Sequence, residues 1–237
     1  MGSEQGRGTA PVDAALAEQL HSYAHDLKNR LAGLLEVLRQ LREPSATDEQ
    51  KELFAFGERQ IFAVLRRSDG LLDDLAVPRA MPAPHTGPVD LLRTLDAAID
   101  NQRYRFDRKQ QSISIAERRP LTVAADPRQL ATVLEALLSN ASKFSAPGSV
   151  ITVRPDAVDG QVSVHVQDNG VGLSAEDLKD VFVRYAWLTS TSTAGEAQGR
   201  STLALCRRIA EAHGGSLTAQ SGGPGQGALF TLRLPAA

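Results

Sequence analysis

Leu137-Leu138-Ser139-Asn140-Ala141-Ser142-Lys143-Phe144-Ser145 and, 28 residues on from Asn140, Asp168-Asn169-Gly170-Val171-Gly172-Leu173 decide the reading of this chain. The first stretch closes a helix that Asp126-Pro127 opens, with Asp as N-cap and Pro in the first turn. It leaves an Asn and a Lys at the helix end. The second follows directly on a strand, Val162 to Val166, and its glycines permit positive φ and close approach of backbone to a ligand.

Strand and helix patterns alternate around these stretches. Leu91 to Phe106 predicts a helix and Ser112 to Ala116 a strand. Val150 to Val153 and Val162 to Val166 are joined through Asp159-Gly160, a hairpin signal. Ser174 followed by Asp177 opens a short helix as an acidic capping box. Leu188 to Gly199 is rich in Ser, Thr, Gly and Ala and lacks apolar periodicity, so it reads as a mobile loop of the lid type. A helix from Ser201 to His213 and strands Ser216 to Gln220 and Ala228 to Leu234 complete an α+β sandwich over residues 90–237.

Upstream, Leu20, Ala24, Leu27, Leu31, Leu34, Leu38 and Leu41 recur at alternating spacings of four and three, a heptad seam. Glu43-Pro44-Ser45 ends that helix, because proline disfavours helix in the residue before it. A second helix, N-capped by Thr47 or Asp48, carries Phe54, Ile61, Val64, Leu71 and Leu75 on its apolar side. Two helices alone cannot bury both stripes, so residues 13–77 are expected to pair with a second copy as a dimeric four-helix bundle. Residues 1–12 read as a flexible tail. Residues 78–89, with Pro78, Pro82, Pro84 and Pro88 in or beside them, read as a semi-rigid linker.

On these motifs the chain resembles the two-component sensor histidine kinases. His25-Asp26-Leu27-Lys28-Asn29-Arg30-Leu31 is similar to their H-box, Leu137 to Ser145 to their N-box, and Asp168 to Leu173 to their G1 box. Phe182-Val183-Arg184-Tyr185 is similar to the F-box. Leu203 to Ile209 with Glu211-Ala212-His213-Gly214-Gly215 resembles the helix and turn after the G2 box. The resemblance implies a Bergerat (GHKL) α/β sandwich behind the bundle, and a kinase that phosphorylates His25 from ATP and passes the phosphoryl group to a receiver-domain aspartate of a response regulator. Asp26 is implied as the base, and Asn29 as the residue that positions a water for dephosphorylation. Asn140 is implied as the Mg²⁺ ligand, Lys143 as a phosphate contact and Asp168 as acceptor from the adenine amino group, with Gly170 and Gly172 lining the nucleotide. In chemistry, a neutral imidazole is a competent nucleophile and a neighbouring carboxylate orients it or takes its proton.

Three departures from the family pattern stand out. Arg30 replaces the usual proline of the H-box. Ala136 stands one helical turn before Asn140, where an Asn or acid is usual, and Glu135 lies about a hundred degrees further round. The G2 glycines are absent from Gln198-Gly199-Arg200-Ser201-Thr202-Leu203-Ala204. A guanidinium at Arg200, with Thr202, is then the expected phosphate contact. These changes motivate two alternatives: a histidine phosphotransferase, or a non-catalytic adaptor, each with a vestigial ATP-binding domain.

Bulk composition agrees with a folded signalling protein. Lys plus Arg is 26 against 28 Asp plus Glu, net −2, so no basic excess points to nucleic acid. One cysteine, Cys206, excludes an internal disulfide framework. No apolar run approaches the ~20 residues of a membrane helix, and no signal peptide is visible, so a cytoplasmic location is expected. His21, His85, His165 and His213 have no motif support; His165 and His213 read as structural.

Overall fold

A computed structural model describes residues 14–41, 46–74, 83–193 and 201–237. The chain divides into two compact units, Met1–Met81 and Pro82–Ala237.

The first unit is a helical hairpin of α1 (Ala14–Gln40) and α2 (Asp48–Asp74). Thr47 caps α2 in a reciprocal box: its Oγ1 accepts from the Gln50 N–H at 3.2 Å, and the Gln50 side chain accepts from the Thr47 N–H at 2.8 Å. The contact between the helices buries Ala24 and Leu35 of α1 with Ile61, Phe62, Leu65 and Leu72 of α2. The expected seam is followed in part: Ala24 and Ile61 are buried, and Leu20, Leu27, Leu31, Leu38 and Phe54 are half-buried. Leu34 and Leu41 are 56% and 62% exposed, and Val64 and Leu71 also face outwards. The reason is that each helix carries two adjacent apolar stripes, and the hairpin closes on only one. Asp69 is buried between the helices, 3.9 Å from the Lys28 ammonium. Leu75 and Glu43-Pro44-Ser45 lie outside the described residues.

The second unit runs β1 (Gly87–Asp90), α3 (Leu91–Arg108), β2 (Ser112–Ile115), β3 (Thr122–Ala125), α4 (Pro127–Phe144), β4 (Val150–Val158), β5 (Gln161–Asp168), α5 (Ala175–Asp180), α6 (Thr202–Ala212), β6 (Ser216–Gln220) and β7 (Ala228–Pro235). Five strands form a sheet in the order β2-β4-β5-β7-β6, with β2 parallel to β4 and the other pairs antiparallel. Strands β1 and β3 make a separate antiparallel pair. The sequence patterns missed both: β1 lies in what reads as linker, where Pro88 and Val89 pair with Ala124 and Val123. A proline fits there because β1 is the outer strand of the pair, with β3 bridged on its other side by Ala236.

Helix α4 is the centre of the core. Leu130, Val133, Leu134, Leu137, Leu138 and Ala141 are buried at helical spacing, packing between α3, α6 and β5. Its start is as expected: the Asp126 carboxylate accepts from the N–H groups of Arg128 and Gln129. His213, buried at the end of α6, accepts the Asp126 N–H at Nε2 (2.9 Å), and its Nδ1 lies 2.7 Å from the Ile209 carbonyl. Those partners assign a neutral imidazole with its proton on Nδ1. The ring ties α6 to the start of α4, a structural role. His165 is structural too, its Nδ1 3.1 Å from Thr231 Oγ1 and its imidazole held below the ordinary range by burial.

Candidate nucleotide-binding site

A cavity of about 220 Å³ opens between α4, the start of α6 and the end of β5. Asp168 stands at its wall, 2% exposed, where β5 ends. Its Oδ1 accepts from the N–H of Gly170 at 2.9 Å and of Ala228 at 3.2 Å. Burial raises its pKa above the ordinary carboxylate range, and these two backbone bonds oppose the shift. A fixed acceptor in an apolar surround suits a donor such as a ring amino group. Val181, Ala186, Leu188 and Phe230 supply the apolar lining that a planar base would need.

The glycines after Asp168 serve the protein's own backbone. A Cβ on Gly170 would lie 2.2 Å from the Phe144 carbonyl oxygen. Gly172 has φ +68°, and a Cβ there would lie 2.1 Å from the Gly223 carbonyl oxygen. The turn Ser221–Gly227 therefore locks onto this loop: Gly225 and Gly227 donate to Val171 and Gly170, and Ser221 Oγ accepts from the Leu173 N–H. Sequence reading overlooked this second glycine-rich turn. Its spacing (Gly222, Gly223, Gly225, Gly227) was the available signal.

Asn140, Lys143 and Ala136 face the cavity from α4. Glu135 does not: its carboxylate accepts from the Asn101 side chain on α3 at 2.7 Å, on another side of the helix. Thr202 and Leu203 line the cavity from the first turn of α6, and Ser201 makes no side-chain cap bond there. Arg200 lies outside the described residues. The expected lid is not uniformly loose. Leu188 and Ser190 wall the cavity, and the carboxylate of buried Asp177 accepts from the Thr189 N–H (2.8 Å) and hydroxyl (2.7 Å). Of it, residues 194–199 lie outside the described residues.

Residues 125–237 match the family described as histidine kinase-, DNA gyrase B-, and HSP90-like ATPase. The chain is 31% identical over 234 residues to the sensor protein ChvG of Agrobacterium fabrum, an alignment covering 90% of this chain and 38% of that one. It is 28% identical over 233 residues to the sensor-like histidine kinase SenX3 of Mycobacterium tuberculosis, covering 96% and 55%. Among solved structures, full-length ShkA in complex with AMPPNP is similar at TM-score 0.59 and 25% identity, over 93% of this chain and 46% of that one. The mycobacterial sensor histidine kinase MprB shares the fold at TM-score 0.55 and 23% identity, over 63% of this chain and 98% of that one.

Residues 125–237 belong to that ATPase family, and the chain is similar along most of its length to sensor histidine kinases.

It spans between about two fifths and just over half of the curated relatives it matches. Its C-terminal unit has the α/β fold of the histidine kinase-like ATPase domain, and a helical hairpin precedes it in the chain. In the hairpin, His25 is exposed on α1, with Asp26 Oδ1 3.8 Å and Asn29 Nδ2 3.3 Å from its Nδ1. Both neighbours stand on the Nδ1 side of the ring. Phe182 meets Phe230 edge-on at 6.4 Å and carries the Arg207 guanidinium over its face at 5.3 Å, while Tyr185 is buried with φ +57°. Phe182 and Tyr185 thus pack the cavity's outer wall and Val181, Val183 and Ala186 face into it. Among the described residues no helix is long and apolar enough to cross a membrane.

Proposed function

We propose that this chain is a histidine kinase core that binds ATP in the cavity at Asp168, phosphorylates His25, and passes the phosphoryl group to an aspartate of a response-regulator receiver domain. The observation that carries the proposal is the buried Asp168 carboxylate, held by two backbone N–H groups at the end of an apolar cavity whose other wall bears Asn140 and Lys143. Asp168 accepts from the adenine amino group. Lys143, with Thr202 and Arg200, meets the phosphates, and the backbone around Gly170 and Gly172 shapes the floor.

The residues present fit a magnesium ion that arrives on the nucleotide. Asn140 offers one amide oxygen, and no cluster of His, Cys, Asp or Glu among the described residues competes for a metal. Magnesium, when bound, neutralises charge on the phosphates during transfer. The chain's own part is positional: the His25 Nε2 lone pair attacks the γ-phosphorus, the bond to the β–γ bridging oxygen breaks and ADP leaves. Asp26, on the Nδ1 side, takes the imidazole proton, with the Asn29 amide turned so that its oxygen rather than its N–H faces Nδ1. Transfer onward restores neutral His25, and Asn29 orients a water for the reverse, phosphatase-type hydrolysis of the receiver phosphate. The exposed second stripe of the hairpin is covered by another copy, giving a homodimeric four-helix bundle in the cytoplasm. Residues 13–77 are its dimerisation domain, residues 78–89 the linker, now shortened by β1, and residues 90–237 the nucleotide domain.

One observation favours a second reading. With Ala136 on the wall and Glu135 turned to Asn101, α4 presents to the cavity the Asn140 amide and the Ser139 hydroxyl but no carboxylate for a metal. A histidine phosphotransferase or adaptor with a vestigial nucleotide domain would tolerate that. Calorimetry with magnesium-ATP, together with γ-labelled autophosphorylation of wild type and His25→Ala, separates them. The kinase reading expects binding and an acid-labile label lost in His25→Ala. Absence of both sinks it, and acceptance of phosphate by His25 from a phosphorylated receiver then identifies the phosphotransferase.

A further inference from the structure

Lys109 follows the charged run Arg103 to Arg108 just past the end of α3, at a surface where lysines are ordinarily exposed. It is instead only 4% exposed. Its ammonium crosses to the end of α4 and donates to the Ser142 carbonyl and to Thr193 Oγ1, both at 2.7 Å, with the Lys143 carbonyl at 3.4 Å. The carbonyls ending a helix carry partial negative charge, so a buried cation is well placed there. Thr193 closes the arrangement. Its N–H donates to the Lys143 carbonyl at 3.0 Å, and its hydroxyl lies 2.7 Å from the Ser145 carbonyl and 3.1 Å from that of Lys143. With one proton to give and a lysine donating to it, the hydroxyl bonds the nearer Ser145. Gln111 secures the same turn, its amide nitrogen within 3.2 Å of the Ser142, Ser145 and Ala146 carbonyls and its Oε1 accepting from Ser142 Oγ at 2.6 Å.

The geometry points to Lys109 and Thr193 as positioning residues for the nucleotide site, a latch that fastens the strap 186–193 to the end of the helix carrying Asn140 and Lys143. The strap is the wall to which Ala186, Leu188 and Ser190 belong. Its middle is pinned by Asp177 at Thr189, and Thr193 supplies the second fixed point at its end. A wall fixed at two points holds the apolar slot open at a set width opposite Asp168. The same bonds immobilise the turn from which the Lys143 side chain starts. Neither residue touches the proposed ligand. This inference rests on the nucleotide reading of the cavity and names what tunes it.

The test uses the full chain, calorimetry with magnesium and AMP-PNP, and amide exchange of residues 186–193 without nucleotide. Thr193→Val keeps the shape and removes the hydroxyl. It is expected to weaken binding about tenfold, the scale of one lost charge-assisted bond, and to speed exchange in the strap. Thr193→Ser restores both to within about twofold, since only the hydroxyl is required. Lys109→Met reproduces the defect, and the double variant is no worse than the weaker single one, because both remove the same latch. Should Lys109→Met fail to fold, the Thr193 pair decides alone. Wild-type binding with Thr193→Val indifferent in both readouts overturns the latch and leaves the nucleotide reading standing; so does strict additivity of the two losses. A wild type that binds no nucleotide overturns the nucleotide reading and the positioning role with it.

Discussion

The two units solve opposite problems. The α/β unit buries its apolar residues within itself: Leu91, Leu95, Leu134, Leu137, Leu138 and Ile151 are completely enclosed. The hairpin leaves Leu34, Leu41, Leu53, Phe56 and Leu71 more than half exposed. Their polar chemistry is inverted in the same sense. Asp168 sits enclosed and pre-oriented, whereas the His25 and Asp26 side chains are 66% and 71% exposed. A group that must hold a small ligand gains from a dry, fixed setting. A group that must meet a phosphate donor and then a second protein has to stay in reach of both. One unit is self-sufficient, and the other keeps an apolar stripe exposed that the proposed second copy would cover.

Substitutions can break that contrast, and the largest effect is expected at Gly172. Gly172→Val adds a side chain at positive φ against the Gly223 carbonyl, costing upward of about 4 kcal/mol. Thermal unfolding with a probe in each unit should show the C-terminal transition lost while hairpin helicity persists. Loss of both would show that the units are not independent.

Asp168→Asn is expected to lower nucleotide affinity by about a hundredfold, as removal of a buried charged partner does, measured by calorimetry. The same variant should melt higher without ligand. Burial lifts the folded pKa of Asp168 above its unfolded value, so at neutral pH the ionised group opposes folding, and the penalty fades only as pH falls through the raised value. Asparagine keeps an oxygen for the Gly170 and Ala228 N–H groups without the charge. An unchanged or lower melting temperature would contradict this account.

The hairpin contrast is sharpened by Leu34→Glu with Leu71→Glu. Light scattering should then report monomer where the wild type is a dimer, with little change in the nucleotide site. A monomeric wild type would remove the reason given for the exposed stripe.

Smaller effects are expected at the helix starts. Asp126→Ala should cost about 1–2 kcal/mol in denaturant unfolding, because the carboxylate caps α4. The Gln129 N–H holds the Asp126 carboxyl below its ordinary range; burial opposes this, and the N–H groups of His85 and Arg128 add to it. At Asp177 burial alone would raise the carboxyl, but the bonds from Thr189 and Ser174 outweigh it and the net shift is downward. Both contribute stability present above the ordinary carboxylate pKa and lost as pH falls through their lower folded values. Wild type should therefore lose stability at acid pH more steeply than Asp126→Ala, a difference readable in melting temperature against pH.

How far the sequence could be read depended on whether a feature is local. Asp126-Pro127, Asp159-Gly160, Ser174 with Asp177, and Thr47 are caps and turns whose partners lie within a few residues, and the structure shows each in place. The cavity-facing residues Asn140, Lys143, Asp168, Gly172 and Thr202 were nameable because their motif order is written along the chain. Strands β1 and β3 were not legible, being four residues each and paired across 30-odd positions. The choice of Leu35 over Leu34 for the hairpin contact was equally out of reach, since two adjacent stripes satisfy the same periodicity.

The sequence by itself pointed to the family resemblance, the helix and strand content of most of the chain, and several of the residues that face the cavity. Only the tertiary structure decided what those residues lean on: Gly170 against the end of α4, Glu135 turned to Asn101, and Lys109 buried under Thr193. Periodicity and caps are properties of neighbours in the chain. A buried cation or a glycine pressed on a distant carbonyl is a property of neighbours in space, and depends on how segments tens of residues apart are packed.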